Sequence, residues 1–301
     1  MPADLRCAPR TRRQEVDPLG SAPTFEHLVL VETPLPWPTE VTDLPTLAHT
    51  PNPGTRIMAV VPEMADPSGL IRLTHWRRTT GNSFSGLDRL VRPGDVPGLL
   101  RRLAEDPAAS ADTVTGAAPA EVLICSHGRR DRCCGRLGTQ LAVATAQRWP
   151  GVRVRRCSHT GGHRFAPTGI TLPDGHCWAY LDVDVLDGLV DRTAALPRLL
   201  PHLRGACALD RWAQVVDRAL FERLGWAWWS LASVEASTAV APDGASAKVR
   251  LEWTSVRGGG RADATVEIRR EIPIVPCGEP AGASVETVPE LSLRELMLRP
   301  E

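Results

Sequence analysis

Two short segments that read as neighbouring strands, one an apolar run and one an alternating half-buried strand, each end in a loop rich in metal-binding side chains. "EVLIC" (121 to 125) runs into "SHGRRDRCC" (126 to 134), and "VRVRRC" (152 to 157) runs into "SHTGGH" (158 to 163). Between them, "GRLGTQLAVATAQRWPG" (135 to 151) carries Leu137, Leu141, Ala144 and Trp149 near helical spacing and stops at Pro-Gly. A strand–loop–helix–strand–loop order puts both loops at the carboxyl ends of two parallel strands, where α/β sheets open a crevice. The donors of the two loops are therefore expected to converge.

Thiolate sulfur and imidazole nitrogen hold zinc or iron-sulfur clusters when they come together from separate backbone segments. Cys125 ends the first strand, Cys133 and Cys134 lie at or just before a helix N-terminus, and His159 and His163 follow the second strand. The helix dipole and nearby Arg129 and Arg130 favour thiolate over thiol. Thr160-Gly161-Gly162 is poor helix sequence, so the histidines sit on a loop whose glycine amides can approach a ligand closely.

Composition sets the surroundings of that centre. The chain has 301 residues, 43% hydrophobic and 23% charged, enough for a sizeable core. Lys+Arg and Asp+Glu are both 35, which leaves no global field to attract nucleic acid or a membrane surface. The N-terminal stretch lacks a secretory h-region and no apolar run approaches the length of a membrane span, so a cytoplasmic location is expected. Eight cysteines kept reduced there suggest metal binding rather than a disulfide framework.

The rest of the chain divides around the central unit. Strands are expected in 25 to 38, 56 to 63 and 69 to 78, a helix over 95 to 106, and a linker over 107 to 120. After 152 to 157, "GITLPDGHCWAYLDV" (169 to 183) reads as two strands about a Pro-Asp-Gly turn, and 184 to 200 as a helix. That βαβ, hairpin, helix order is thioredoxin-like, and the poorer strand series before it suggests an internal duplication. A helix over 208 to 226 and strands in 228 to 240, 246 to 255 and 262 to 275 follow. The expected fold class is α/β, with a flexible leader (1–21), an N-terminal α/β domain (22–117), a thioredoxin-like ferredoxin domain (118–204), a C-terminal α+β extension (205–277) and a flexible tail (278–301). One weak turn of helix is expected at "LSLRELML" in that tail.

In its C-x8-C loop followed by H-x-G-G-H, the chain resembles the sucrase/ferredoxin-like family over roughly residues 22 to 200, most specifically over 125 to 166. The resemblance implies a [2Fe-2S] cluster with two Cys and two His ligands. Cys125 and Cys134 match the first element, and His159 and His163 the second. Because Cys133 adjoins Cys134, the second thiolate is assigned from spacing. On this reading Gly161, Gly162, Arg129 and Arg164 surround the cofactor, and the protein is an electron carrier that docks an unidentified redox partner through a basic rim of Arg129, Arg130 and Arg164. Two imidazoles in place of thiolates raise the reduction potential and can make it pH-dependent.

The alternative is a structural zinc module with the same donors. Sucrose hydrolysis needs two placed carboxylates, but Asp182, Asp184, Asp187 and Asp191 read as a helix cap and a solvated face. Disulfide reduction lacks its C-x-x-C motif, and "RGGGRA" lacks the context of a dinucleotide loop. Cys157 and Cys177 are expected in the core, His127 as an outer donor or plain loop residue, His176 at the surface, and Trp226, Trp228 and Trp229 in packing.

Overall fold

The computed structural model describes residues 6–48, 53–63, 67–105, 114–255, 258–275, 277–279 and 286–300. Helix α1 (Cys7–Arg13) precedes β1 (His27–Glu32), β2 (Thr55–Val60), β3 (Ile71–Arg78), β4 (Phe84–Val91), α2 (Val96–Glu105) and β5 (Val114–Ala117). A second series follows: β6 (Ala120–Cys125), a π-turn over Cys134–Gly138 leading into α3 (Thr139–Thr145), β7 (Val152–Cys157), β8 (Gly169–Leu172), β9 (His176–Trp178), α4 (Val183–Val190), the single turn α5 (Leu196–Leu199) and β10 (Leu203–Ala206). All ten strands belong to one mixed sheet, in the order β10-β9-β8-β6-β7-β2-β1-β3-β4-β5.

That order contains a repeat. β1 pairs parallel with β2 and antiparallel with β3, which pairs antiparallel with β4. β6 stands in the same relations to β7, β8 and β9. The two series join at the ends of β2 and β7, through Val60 and Cys157.

Strand periodicity explains how the series pack. Leu28 and Leu30 of β1, with Met58, Trp76 and Phe84, meet Leu123, Ile170, Leu172 and Cys177 of the second series. Val29 and Val31, pointing the other way, pack on Trp37, Leu47, Val96, Leu99 and Leu103. Val122 and Ile124 likewise turn toward Leu141, Leu186 and the C-terminal unit. A buried ionic network spans the contact: Arg153 reaches Asp88 at 2.6 Å and Glu121 at 2.9 Å, and Arg155 reaches Glu121 at 2.7 Å.

The C-terminal unit starts with α6 (Arg211–Leu224). Asp210 caps it, accepting from the backbone N–H groups of Trp212 and Ala213 at 2.8 and 3.0 Å, and Gly225 ends it at φ +68°. β11 (Ser233–Val240), β12 (Ser246–Ser255), β13 (Gly258–Ile274) and β14 (Glu286–Pro300) then form a four-stranded antiparallel sheet.

Several expectations are corrected. Residues 286–300, expected as mobile tail with a helical turn, are β14, paired along β13. Its alternation is hidden because a register shift leaves Arg294 without a partner, moving the apolar series from Leu291 and Leu293 to Leu296 and Leu298. The leader is not free either: Cys7, Ala8, Thr11, Val16 and Leu19 are buried. The helix expected over 184 to 200 breaks into α4 and α5, and residues 225–230, partly expected as strand, are a 3-10 run. β4 was hidden by Asp88 and Arg89, charged residues that the fold buries. Of the linker read over 107 to 120, residues 114–117 pair with β4 as β5, while 107–113 lie outside the described residues.

Candidate metal centre

The loops after β6 and β7 meet, as strand order requires. Ser126 N–H donates to the Cys157 carbonyl at 2.9 Å, tying the start of the cysteine loop to the end of the neighbouring strand. The loop folds tightly because Gly128 and Gly135 face each other: a Cβ on Gly135 would lie 2.4 Å from the Gly128 Cα. The π-turn then brings Gly138 against the Cys125 carbonyl, a common way for a helix to reshape a functional site.

Cys125 and Cys134 are fully buried in one small cluster, and Cys134 and His159 are the side chains that act on the Cys125 thiol. The Cys134 thiol donates to Cys125 and holds its pKa well below the usual thiol range, aided by His159 and the backbone N–H groups of His127 and Thr160, and against burial. Cys134, the donor of that pair and also buried, is pushed well above its ordinary value. Burial lowers His159, and its Nδ1 is buried with no hydrogen-bond partner among the described residues. Arg56 fixes the loop by donating to the His159 carbonyl at 2.5 Å.

His163 lies on the outer side, with its ring centroid 6.1 Å from that of His159 and its side chain 30% exposed. Its Nδ1 is 3.0 Å from Asp131 Oδ2 and 3.4 Å from Cys7 Sγ. Asp131 also accepts the Cys134 N–H through Oδ1 at 3.0 Å, so one buried carboxylate positions both a cysteine and a histidine of the predicted set.

Cys133 points the other way. Its Sγ is 3.4 Å from Cys277 Sγ and 3.8 Å from Cys7 Sγ, and Cys7 and Cys277 are 3.2 Å apart. With Asp131 these residues form a group whose donor atoms all lie within 4.8 Å of one another, and it could hold a metal ion. The sequence reading missed Cys7, Asp131 and Cys277 as donors. The only signal was a cysteine in each of two polar, Pro-rich end segments.

The remaining predicted residues divide. Gly161 and Gly162 adopt φ of +83° and +62°, and the Gly161 carbonyl accepts from buried Arg204 at 3.0 Å. Arg129 and Arg130 are exposed, the latter paired with Glu40. Arg164 is not a solvated rim residue: its guanidinium lies 4.4 Å from the Phe165 ring, and burial lowers its pKa to about 10. His127 donates from Nε2 to the Pro38 carbonyl at 2.7 Å. His176, expected at the surface, is 2% exposed, stacked 4.3 Å from Trp229 and flanked by Asp174 and Asp217. Trp228 is buried, and Trp226 and Trp229 pack against the same core. Cys157 and Cys177 are core residues, and Asp182 caps α4.

Fold and site together define a protein of mixed α/β architecture in which Cys7, Asp131, Cys133 and Cys277 are the described donors that come close enough to hold one metal ion, while Cys125, Cys134, His159 and His163 do not form such a group. A family model described as sucrase/ferredoxin-like matches residues 18–205, which takes in both strand series and the donors of both loops. The chain belongs to that family. No curated protein and no solved structure matches the chain. Among the described residues, no helix is long and apolar enough to cross a membrane.

Proposed function

We propose that the protein is an electron carrier in which Cys125 and Cys134 hold one iron, and His159 and His163 the other, of a [2Fe-2S] cluster. The observation that carries this reading is a pair of thiols buried in one cluster together with a histidine of the neighbouring loop whose buried Nδ1 has no partner among the described residues. The fit of Cys134 rather than Cys133 rests on where the sulfurs point. The strand order β9-β8-β6-β7, with β8 antiparallel to its neighbours, supports a thioredoxin-like unit, and β4-β3-β1-β2 supports a second copy of that frame.

When bound, such a cluster supplies one-electron chemistry at a potential expected between about −150 and +300 mV for mixed Cys and His ligation. The chain's own residues do the rest. Burial keeps water from the thiol side, Asp131 orients His163 through Nδ1 and leaves Nε2 for iron, and the part-exposed histidine side offers a partner the shortest approach. A cleft of about 590 Å3 beside the cysteine loop is lined by Arg129, Arg132, Arg136 and Arg156 with Leu35 and Trp37, a surface suited to an acidic redox protein in the cytoplasm.

Purification without oxygen tests the reading. The protein should be red-brown, with iron and acid-labile sulfide each at about two per chain. Cys134→Ser should lose most of both and Cys133→Ser should keep them. A native spectrum in Cys134→Ser refutes the ligand set, and a colourless wild type carrying zinc alone favours the structural module.

A further inference from the structure

We propose that Cys7, Cys133 and Cys277, with Asp131 as fourth donor, form a second metal site, one that takes zinc(II). This site stands on the spacing of its own donor atoms, whether or not the cluster is present. Zinc–sulfur bonds of about 2.3 Å in a tetrahedron put the sulfurs about 3.8 Å apart. The three sulfurs here are separated by 3.2, 3.4 and 3.8 Å, and Asp131 Oδ2 is 3.2 Å from Cys7 Sγ. Closing onto one ion needs the two shorter sulfur pairs to separate by about 0.4–0.6 Å, and all four donor atoms already lie within 4.8 Å of one another.

Chemistry selects the ion. Three soft thiolates favour zinc over magnesium or calcium, and four protein donors make a closed, structural site rather than a catalytic one. Cys7, Asp131 and Cys133 are buried and Cys277 is half-buried. The Cys7 backbone N–H donates to Cys277 Sγ at 3.3 Å, and His163 Nδ1 meets the same carboxylate oxygen at 3.0 Å, which are the outer contacts that hold ligands in place. The donors come from the first helix, the cysteine loop and the segment after β13, so a bound ion would fasten both ends of the chain over the histidine loop.

Metal analysis of the full-length protein, expressed with iron and zinc and dialysed free of loose ions, tests this. The wild type should hold about one zinc in addition to any iron. Cys7→Ser and Cys277→Ser should bind zinc at least about tenfold more weakly, while iron and sulfide stay at wild-type levels. Cys277 lies half-buried in an irregular segment, so its replacement leaves the core intact. Cys125→Ser should do the reverse, losing iron and keeping zinc. Cobalt(II) added to zinc-stripped protein should give a thiolate charge-transfer band that Cys277→Ser weakens. The proposal is overturned by wild type without zinc, by zinc retained in Cys277→Ser, by iron and zinc leaving together in Cys277→Ser, or by a Cys7–Cys277 disulfide in place of the ion. If iron is absent from the wild type but zinc follows Cys7 and Cys277, the cluster reading fails and this one stands.

Discussion

Gly138 is the position where one methyl group should empty the centre. It ends the π-turn that begins at Cys134, and a Cβ there would lie 1.8 Å from the Cys125 carbonyl oxygen and 3.0 Å from its carbonyl carbon. Real contacts of that kind exceed about 3 Å, so Gly138→Ala must drive the end of β6 and the start of α3 apart by more than about 1 Å. Both partners are backbone, and neither can rotate away. Overpacking of this kind costs about 1–3 kcal/mol in a well-packed core, and a backbone clash belongs at the upper end. The larger effect falls on the ligands, because Cys125 and Cys134 sit on the two segments being separated. A first shell displaced by that much should hold metal about 10–100-fold more weakly. The assay is iron and sulfide per chain together with the visible spectrum, with circular dichroism to show that the fold persists. Gly94→Ala, where a Cβ meets nothing within 4 Å, is the matched control and should behave as wild type. Full occupancy and an unchanged spectrum in Gly138→Ala would show that this close backbone approach does not hold the two cysteines in place.

His176 makes stability pH-dependent. Burial lowers its pKa, but Asp174 at 3.6 Å and Asp217 at 3.8 Å more than offset this and leave it raised to about 9. A raised folded value means the ion-pair stabilisation is complete below the unfolded pKa of about 6.5 and disappears as pH rises through about 9. Both contacts are longer than hydrogen bonds, so about 1–3 kcal/mol is at stake. Unfolding midpoints measured from pH 6 to 10 should fall more steeply for wild type than for His176→Gln, and parallel profiles would exclude the ion pairs. For β14, Leu291→Ala should destabilise by about 2–4 kcal/mol, while exposed Met297→Ala stays within about 0.5 kcal/mol. A free tail would make the two substitutions equally silent in denaturant titrations.

Most of the central unit was legible because its strands are short apolar or alternating runs, and because its cysteines and histidines fall at strand ends. β7 (Val152–Cys157) matches the sequence reading residue for residue, and α6 ends at the glycine that marks it. Legibility failed where tertiary partners override local pattern. Asp88 and Arg89 look like loop residues until Arg153 gives the former a buried partner. His176 looks exposed beside its turn until Trp229 covers it. In the site, the orientations of Cys133 and Cys134 could not be read from adjacency, since the π-turn decides which sulfur faces Cys125. Cys7 and Cys277 are 270 residues apart, and no local signal links them.

The two strand series differ at the ends of their paired strands. By register, Glu32 opposite Val60 occupies the place of Cys125 opposite Cys157, and two residues further on Pro62 stands where His159 does. The earlier series thus has neither thiol nor imidazole at these two positions, yet it grips the later one through Arg56 on His159, Pro38 on His127 and Ala59 paired in both directions with Ser158. The two donor loops thus lean on a neighbour that brings no sulfur or imidazole of its own to these places, and removing that neighbour would leave them unbraced.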